Sequence, residues 1–327
     1  MPRTVDFTIP FPVRINPHLE QVRARHEAWV RESGLVPPAF EAQYYEWDFL
    51  RLGSYAFPDA DPAGLYLASR LLGFTFMWDD QHEALSLRDP LAARKHSEEM
   101  IRALDGGEVT TLGARIMADM WKDMSRGMSN AWLTRARYTW NWCVATYPHQ
   151  AHDALHKTVP SRRSYDHTRR GVAGVDYVLD VLERFLGCEV PATAAHSPQI
   201  WILRDTIVKA TLYTNDVYSL EKEEADGDTN NIVLVLLAEG HTRSEALAMT
   251  VTMVTSELEN FTKVREELLS MYAFLRLSPY EVQAVERYVE GLTAWISGYF
   301  AWSQTTPRYA GVNLTEGRRM PLTHLVD

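Results

Sequence analysis

Two short acidic segments carry the residue types that could bind a hard divalent cation. In the first, residues 76–83 with the sequence FMWDDQHE, Asp79 and Glu83 lie four residues apart. On a helix this spacing places both on one face, where like charges repel each other. Leu72 and Phe76 continue the same face with apolar side chains. The pattern favours carboxylates at the mouth of an apolar cavity, where their oxygens suit Mg²⁺, although an acidic surface patch would also fit.

The second segment, residues 215–223, reads NDVYSLEKE. Asn215, Ser219 and Glu223 recur at every fourth position and drift only about 80° around a helix. They would present an amide oxygen, a hydroxyl and a carboxylate in one line, and all three are hard ligands. Lys222 lies beside this line and could reach an anion. A mixed polar helix surface is the alternative, but two oxygen-rich faces indicate a metal site more strongly together than separately.

Long stretches without proline indicate that helices position both segments. Proline is absent from residues 91–147 and from residues 199–278. Residues 242–245 and 278–281 match the capping box that begins many helices. Alternating strand patterns joined by hairpin turns are missing. We therefore predict an all-α fold of roughly ten or more helices.

Helices that are aromatic-rich and apolar on more than one side are typical of a large bundle in which inner helices are surrounded by others. We therefore predict a single α-helical domain over residues 1–327. The proline-rich residues 1–20 should be extended. The polar residues 310–327 should form a mobile tail.

Composition narrows the classes of partner. The 327 residues carry a formal net charge of -10, which argues against a nucleic-acid binder. Two cysteines cannot build a disulfide framework or a CxxC zinc site. The N-terminus has no apolar run typical of a signal peptide, and residues 291–307 are too polar to span a bilayer. We expect a soluble, cytoplasmic protein with neither a nucleic acid nor a membrane as partner.

Taken in order along the chain, several segments resemble microbial class I terpene synthases. Residues 76–83 look like the aspartate-rich motif of that family, and residues 215–223 are similar to its second metal motif. Residues 226–233, DGDTNNIV, resemble the Gly-Asp-x-x-Asn segment that follows. Residues 160–174 resemble the segment that senses diphosphate, and Arg308-Tyr309 resembles the Arg-Tyr pair near the family's C-terminus. Two positions depart from the pattern: Glu83 stands where Asp is common, and Thr75 stands where a second aromatic residue is frequent.

The resemblance implies a class I terpenoid synthase α-bundle and assigns roles to individual residues. Two Mg²⁺ ions would bind Asp79 and Glu83, and a third would bind Asn215, Ser219 and Glu223. The diphosphate-binding set would be Arg170, Lys222, Arg308 and Tyr309. Asp80 would pair with Arg308 rather than bind metal. Arg170 would be the diphosphate sensor, Ala173 the linker and Gly174 the effector, while Phe76, Trp295 and Trp302 would line the cavity wall.

The implied reaction is the Mg²⁺-dependent ionisation of a linear isoprenyl diphosphate, here farnesyl diphosphate, to a terpene hydrocarbon or alcohol with release of diphosphate. Geranyl and geranylgeranyl diphosphate remain alternative substrates. The family also suggests a homodimer. A di-iron carboxylate bundle is a competing class, but it requires Glu-x-x-His pairs, which this chain lacks. A non-enzymatic helical scaffold is a further alternative, although it would not require oxygen ligands above apolar walls.

Overall fold

A computed structural model describes residues 5–309 and 323–327 of the chain. Within these residues the prediction of an all-α fold is confirmed, because fifteen α-helices and no strands are present. In chain order the helices are α1 (Leu19–Ser33), α2 (Glu41–Trp47), α3 (Phe49–Ala56), α4 (Pro62–Arg88), α5 (Pro90–Asp105), α6 (Leu112–Ser125), α7 (Asn130–His156), α8 (Arg162–Val172), α9 (Val175–Phe185), α10 (Ala192–Ala195), α11 (Pro198–Asp226), α12 (Ile232–Ala238), α13 (Arg243–Glu266), α14 (Leu268–Leu275) and α15 (Pro279–Thr305). Short 3₁₀ turns cover Pro38–Phe40 and Pro307–Tyr309.

The longest helices form the inner part of the bundle. Helices α4, α7, α11 and α15 are 27 to 29 residues long. Helix α4 packs against both α7 and α9, and α11 packs against α8, α9 and α15. A helix surrounded in this way needs apolar residues on most of its circumference. The buried positions of α4 and α11 accordingly extend around the helix rather than along one stripe.

Side-chain caps fix where the helices begin. Ser278 and Glu281 cap each other's backbone at the start of α15, and Thr242 and Glu245 do the same at α13. Both capping boxes stand where the sequence predicts them. At the other end of α11, Gly227 adopts a φ of 79°, a left-handed conformation in which glycine has no Cβ to clash.

The chain ends only partly match the expected flexible segments. Residues 5–18 contain no helix, as an extended segment would. Residues 310–322 lie outside the described part of the chain. Residues 323–327 differ from the expected mobile tail, because Leu325 is fully buried and its N–H donates to Gln81 at 2.9 Å. Among the described residues, no helix is both long enough and apolar enough to cross a membrane.

Candidate active site

A cavity of about 150 Å³ lies among α4, α7, α8, α9, α11 and α15. Helices α4 and α11 each contribute apolar residues first and acidic residues further along the chain. On α4, Leu72 and Phe76 precede Asp79, and on α11, Leu212 precedes Glu223. The cavity therefore has an aromatic and aliphatic end and an oxygen-rich end, as the two sequence patterns predict.

The acidic pair on α4 is held by partners from α7. The Tyr147 hydroxyl donates to Asp79, and the amide nitrogen of Gln150 donates to Glu83. Both carboxylates line the cavity. Burial, with the nearby Asp80 charge, raises the pKa of Asp79. Burial also raises the pKa of Glu83 well above its usual value, and the charge of Asp79 adds to this effect.

Asp80 lies beside this pair but does not line the cavity. One of its oxygens accepts a hydrogen bond from Arg308 at 2.8 Å, the pairing that the family resemblance implies. The Lys222 amine is 3.7 Å from the same oxygen. Burial opposes ionisation of Asp80, but the charges of Arg308 and Lys222 outweigh it and lower the pKa of this carboxyl. Asp80 thus holds the charged side chains of Arg308 and Lys222 at the rim of the cavity.

The second motif occupies one continuous line on α11. Ser219 donates its hydroxyl to Glu223 at 2.7 Å, one helical turn later. Glu223 also accepts from the side-chain amide of Asn231 at 2.7 Å. Asn215 donates to the hydroxyls of Tyr299 and Tyr309 at 2.6 and 3.0 Å. These contacts align the three predicted ligands toward the cavity that α4 also faces.

The residue types at this end of the cavity fit a hard cation. Burial, together with the charge of Glu223, raises the pKa of Asp228 to about 6, so a third carboxylate at this end also ionises with difficulty. A bound cation would remove that cost. Within residues 5–309 and 323–327, however, no three His, Cys, Asp or Glu side chains are grouped so as to hold one metal ion. Mg²⁺ commonly keeps several waters and binds proteins through one or two carboxylates, so the donor set still fits.

The two adjacent arginines of α8 face different surroundings, and the expected sensor, Arg170, is not the one that lines the cavity. Arg169 lines the cavity, with Nε 2.7 Å from Asp216. Arg170 does not line this cavity but, with Asp176, lines a separate groove. Its guanidinium donates to Asp176 at 2.6 Å and also to Asp205. Successive residues of a helix point about 100° apart, and sequence alone did not determine which of the two faced inward.

The break between α8 and α9 lies at the cavity wall. Gly174 adopts a φ of 63° and lines the cavity. The last carbonyl oxygen of α8, at Val172, lies 3.2 Å from the Tyr147 hydroxyl oxygen. Gly174 thus directly precedes α9, two residues after α8 ends at Val172. Its role as the effector stays a prediction of the family resemblance.

The predicted aromatic wall is only partly correct. Phe76 and Trp295 line the cavity, but Trp302 does not. The Trp302 ring packs behind Phe76 with 5.5 Å between centroids, and its N–H donates to the carbonyl of Trp47 at 2.8 Å. Trp302 therefore supports the wall instead of facing the substrate space.

Several cavity residues were not identified from the sequence. Tyr147, Trp140 and Tyr177 come from α7 and α9, and Tyr299 comes from α15. They are single residues in helical stretches without a motif, so no spacing distinguished them from core residues. Asp228 also lines the cavity, and it lies in the DGDTNNIV segment, to which the family resemblance assigns no individual role.

Comparison with known proteins places the chain in a family. Residues 70–260 match the family model described as terpene synthase family 2, C-terminal metal binding. Pentalenene synthase of Streptomyces avermitilis is 33% identical over 95% of this chain and 94% of its own length. A 7-epi-alpha-eudesmol synthase of Streptomyces viridochromogenes, described as (2E,6E)-farnesyl diphosphate cyclizing, is 29% identical over 95% and 93%.

A solved structure agrees with these sequence matches. Linalool/nerolidol synthase from Streptomyces clavuligerus, in complex with 2-fluorogeranyl diphosphate, superposes with a TM-score of 0.81. It is 30% identical and covers 91% of this chain and 98% of its own. The chain belongs to the terpene synthase family and has the class I helical fold. It is accordingly an enzyme of the lyase and cyclase type with a metal-binding domain, and enzymes of this family act on isoprenyl diphosphates.

Proposed function

We propose that this protein is a Mg²⁺-dependent terpene synthase that ionises farnesyl diphosphate and converts the carbocation to a terpene hydrocarbon or alcohol, releasing diphosphate. One observation carries the proposal. The acidic pair of α4 and the Asn-Ser-Glu line of α11 border the same cavity, whose other end is apolar and aromatic. An anionic leaving group and an apolar chain would each find a matching environment there.

In this proposal, the polar residues of the cavity would bind the metal ions and the diphosphate, and the apolar residues would contact the hydrocarbon chain. Three bound Mg²⁺ ions would supply positive charge to the departing diphosphate. Asp79 and Glu83 would hold two of the ions, and Asn215, Ser219 and Glu223 the third. Lys222, Arg308 and Tyr309, which line the cavity, would donate hydrogen bonds to the diphosphate. Arg169 would join them in place of Arg170, since Arg169 lines the cavity and Arg170 does not. Such preorganised donors stabilise the charge that develops as the bond breaks.

The substrate length is supported by relatives rather than by a single residue. The eudesmol synthase that resembles this chain cyclises a farnesyl chain, which favours C15. Geranyl diphosphate is a second candidate, because the linalool/nerolidol synthase structure binds a fluorinated geranyl diphosphate. The apolar wall would accept either chain, since hydrophobic contact is not directional.

Incubation with C10, C15 and C20 diphosphates, followed by gas chromatography of the products, tests the proposal. Turnover of the C15 substrate with Mg²⁺ and none with EDTA is expected. Asn215→Ala and Glu223→Ala should each lower kcat by at least ~100-fold. Glu224→Gln is a matched control on the same helix, since Glu224 is exposed and pairs with Arg243 outside the cavity. Activity in EDTA, or activity restored only by iron, would refute the magnesium assignment.

A further inference from the structure

The side chain of Gln150 joins acidic groups that come from two different parts of the bundle. Its amide nitrogen donates to Glu83 on α4 and, at 3.1 Å, to Asp228 in the loop after α11. Its amide oxygen accepts from Asn230 at 3.3 Å. Gln150 is only 5% exposed. Both N–H groups of a buried amide are therefore directed at carboxylates that line the cavity.

A neutral amide suits this place better than the other polar side chains. A lysine or arginine would supply a positive charge and compete with a metal ion for the two carboxylates. A third carboxylate would add repulsion, and a hydroxyl has only one hydrogen to donate. The amide donates twice and leaves the negative charge of Glu83 and Asp228 available to a cation.

Asp228 is itself held in one orientation. Its backbone N–H donates to the Glu223 carbonyl at 3.0 Å, and its other carboxylate oxygen accepts from the Asn230 N–H at 3.0 Å. The loop that carries Asp228 is thus attached to the end of α11, and Gln150 connects it across the cavity mouth to α4. The Glu83 side chain is one methylene longer than the Asp that is common at its position, and it therefore has more conformational freedom. Its hydrogen bond with Gln150 restricts that freedom.

We infer, on the basis of the proposed function, that Gln150 is a positioning residue that holds Glu83 and Asp228 in place for Mg²⁺ binding at the cavity mouth. It acts through the two carboxylates and does not itself contact the ion. Groups that orient metal ligands by hydrogen bonds typically change metal affinity 10- to 100-fold when they are removed. A purely structural role would instead change stability and leave metal affinity unaltered.

The test measures metal binding without turnover. Gln150→Met has a similar length but cannot donate a hydrogen bond. Mg²⁺ is titrated in the presence of inorganic diphosphate, and the rise of the thermal unfolding midpoint is followed, because a ligand that binds only the native state stabilises it. The Mg²⁺ concentration that gives half of this rise should increase at least ~10-fold. His149→Ala, an exposed neighbour on α7, should leave it unchanged.

A lowered midpoint with an unchanged Mg²⁺ requirement would overturn the inference and leave Gln150 as a structural bridge. If Gln150→Met does not fold, Gln150→Asn provides the same test, because its shorter amide cannot reach both carboxylates. An unchanged Mg²⁺ requirement in that variant would again overturn the inference. If the wild-type protein shows no response to Mg²⁺ and diphosphate, the proposed function itself fails, which is a distinguishable result.

Discussion

Arg169 and Arg170 are neighbours on α8, but their side chains point in different directions and bind different partners. The guanidinium of Arg169 lies between Asn215 and Asp216 at the cavity. Arg170 joins Asp176 on α9 to Asp205 on α11. The first arrangement suits contact with an anion in the cavity, and the second suits attachment of the segment around the helix break.

We predict that Arg169→Lys lowers kcat by roughly 100-fold, because a point charge does not replace a planar fork that contacts two partners. Arg170→Lys should reduce the thermal unfolding midpoint more than the rate. Steady-state kinetics measures the loss of kcat in both variants, and thermal unfolding measures their loss of stability. A larger loss of kcat at Arg170 would show that its side chain turns into the cavity when substrate binds, as the family resemblance implies.

The Phe76 ring lines the cavity and also packs against other side chains of the protein. It stacks on Phe49 with 4.8 Å between centroids, and the Arg308 guanidinium lies 5.0 Å from its centre. We predict that Phe76→Leu shifts the products toward linear or early-quenched terpenes. A ring facing a desolvated cation contributes about 2 kcal/mol, or roughly 30-fold in a step that depends on it.

Gas chromatography of the products, together with diphosphate release, measures both effects. Phe49→Leu is the control, because Phe49 packs behind Phe76 and does not line the cavity. It should lower stability and leave the product mixture nearly unchanged. Equal product shifts in the two variants would mean that the ring acts only through packing.

At the scale of single residues, sequence patterns predicted that the oxygen-bearing side chains of α4 and α11 share one face of each helix, because their spacing matches the helical period. They did not predict which of Arg169 and Arg170 faces inward or that Trp302 lies behind the wall. Those outcomes depend on the rotation of α8 and α15 against their neighbours. The packing of distant helices determines that rotation, and no local spacing encodes it.

At the scale of elements, α4 and α5 are joined by a buried aromatic and histidine cluster just behind the metal motif. The Trp78 indole donates to Nε2 of His96 at 2.8 Å. An indole can only donate, so this ring nitrogen must carry its lone pair. Burial lowers the pKa of His96 to about 4 and that of His82 to about 3. Both histidines are therefore neutral in the folded protein near pH 7.

This arrangement predicts loss of stability in acid. The unfolded state binds a proton on His96 near its ordinary pKa of 6.5, whereas the folded state does so only near 4. The free energy of unfolding should therefore fall as the pH drops from about 6.5 to 4. At 1.36 kcal/mol per pKa unit, His96 accounts for about 3 kcal/mol of that fall.

His96→Gln tests this expectation, because glutamine can accept from Trp78 but does not titrate. Denaturant unfolding at several pH values should show a shallower loss of stability in acid than in the wild-type protein. His149→Gln, at an exposed site on α7, should keep the wild-type slope. Parallel pH profiles for His96→Gln and wild type would exclude His96 as the source.

Helix starts were the most predictable elements, because Ser, Thr and Pro at helix N-termini act locally. The end of α8 at Val172 was also foreseeable, since Gly171 and Gly174 weaken a helix. At Gly171 the lack of a side chain also allows two helices to pack closely. A Cβ at this position would lie 2.4 Å from the Thr146 hydroxyl, so α7 and α8 approach too closely for any side chain.

At the scale of the whole molecule, the chain's last described residues return to the helix that carries the first acidic motif. The Leu325 N–H donates to Gln81, which directly follows Asp80. The Leu325 carbonyl accepts from the Gly113 N–H of α6 at 2.8 Å. A Cβ on Gly113 would lie 2.7 Å from that carbonyl, so the glycine permits the approach. The terminal sequence alone does not predict this packing, because the contacts of Leu325 are made with α4 and α6, which are distant in the sequence.

We predict that Leu325→Asp lowers the free energy of unfolding by about 2 to 4 kcal/mol, because it places an unpaired charge where an apolar side chain is fully buried. The buried charge should displace the terminal segment, so that Gln81, next to Asp80, loses the backbone N–H of residue 325. We therefore expect kcat to fall as well, although less than in Asn215→Ala. Denaturant unfolding and steady-state kinetics measure the two effects. Asp327→Asn is the matched control, because Asp327 is exposed at the end of the same segment and should change neither quantity. Wild-type stability in Leu325→Asp would mean that the terminal residues rest on the bundle without stabilising it.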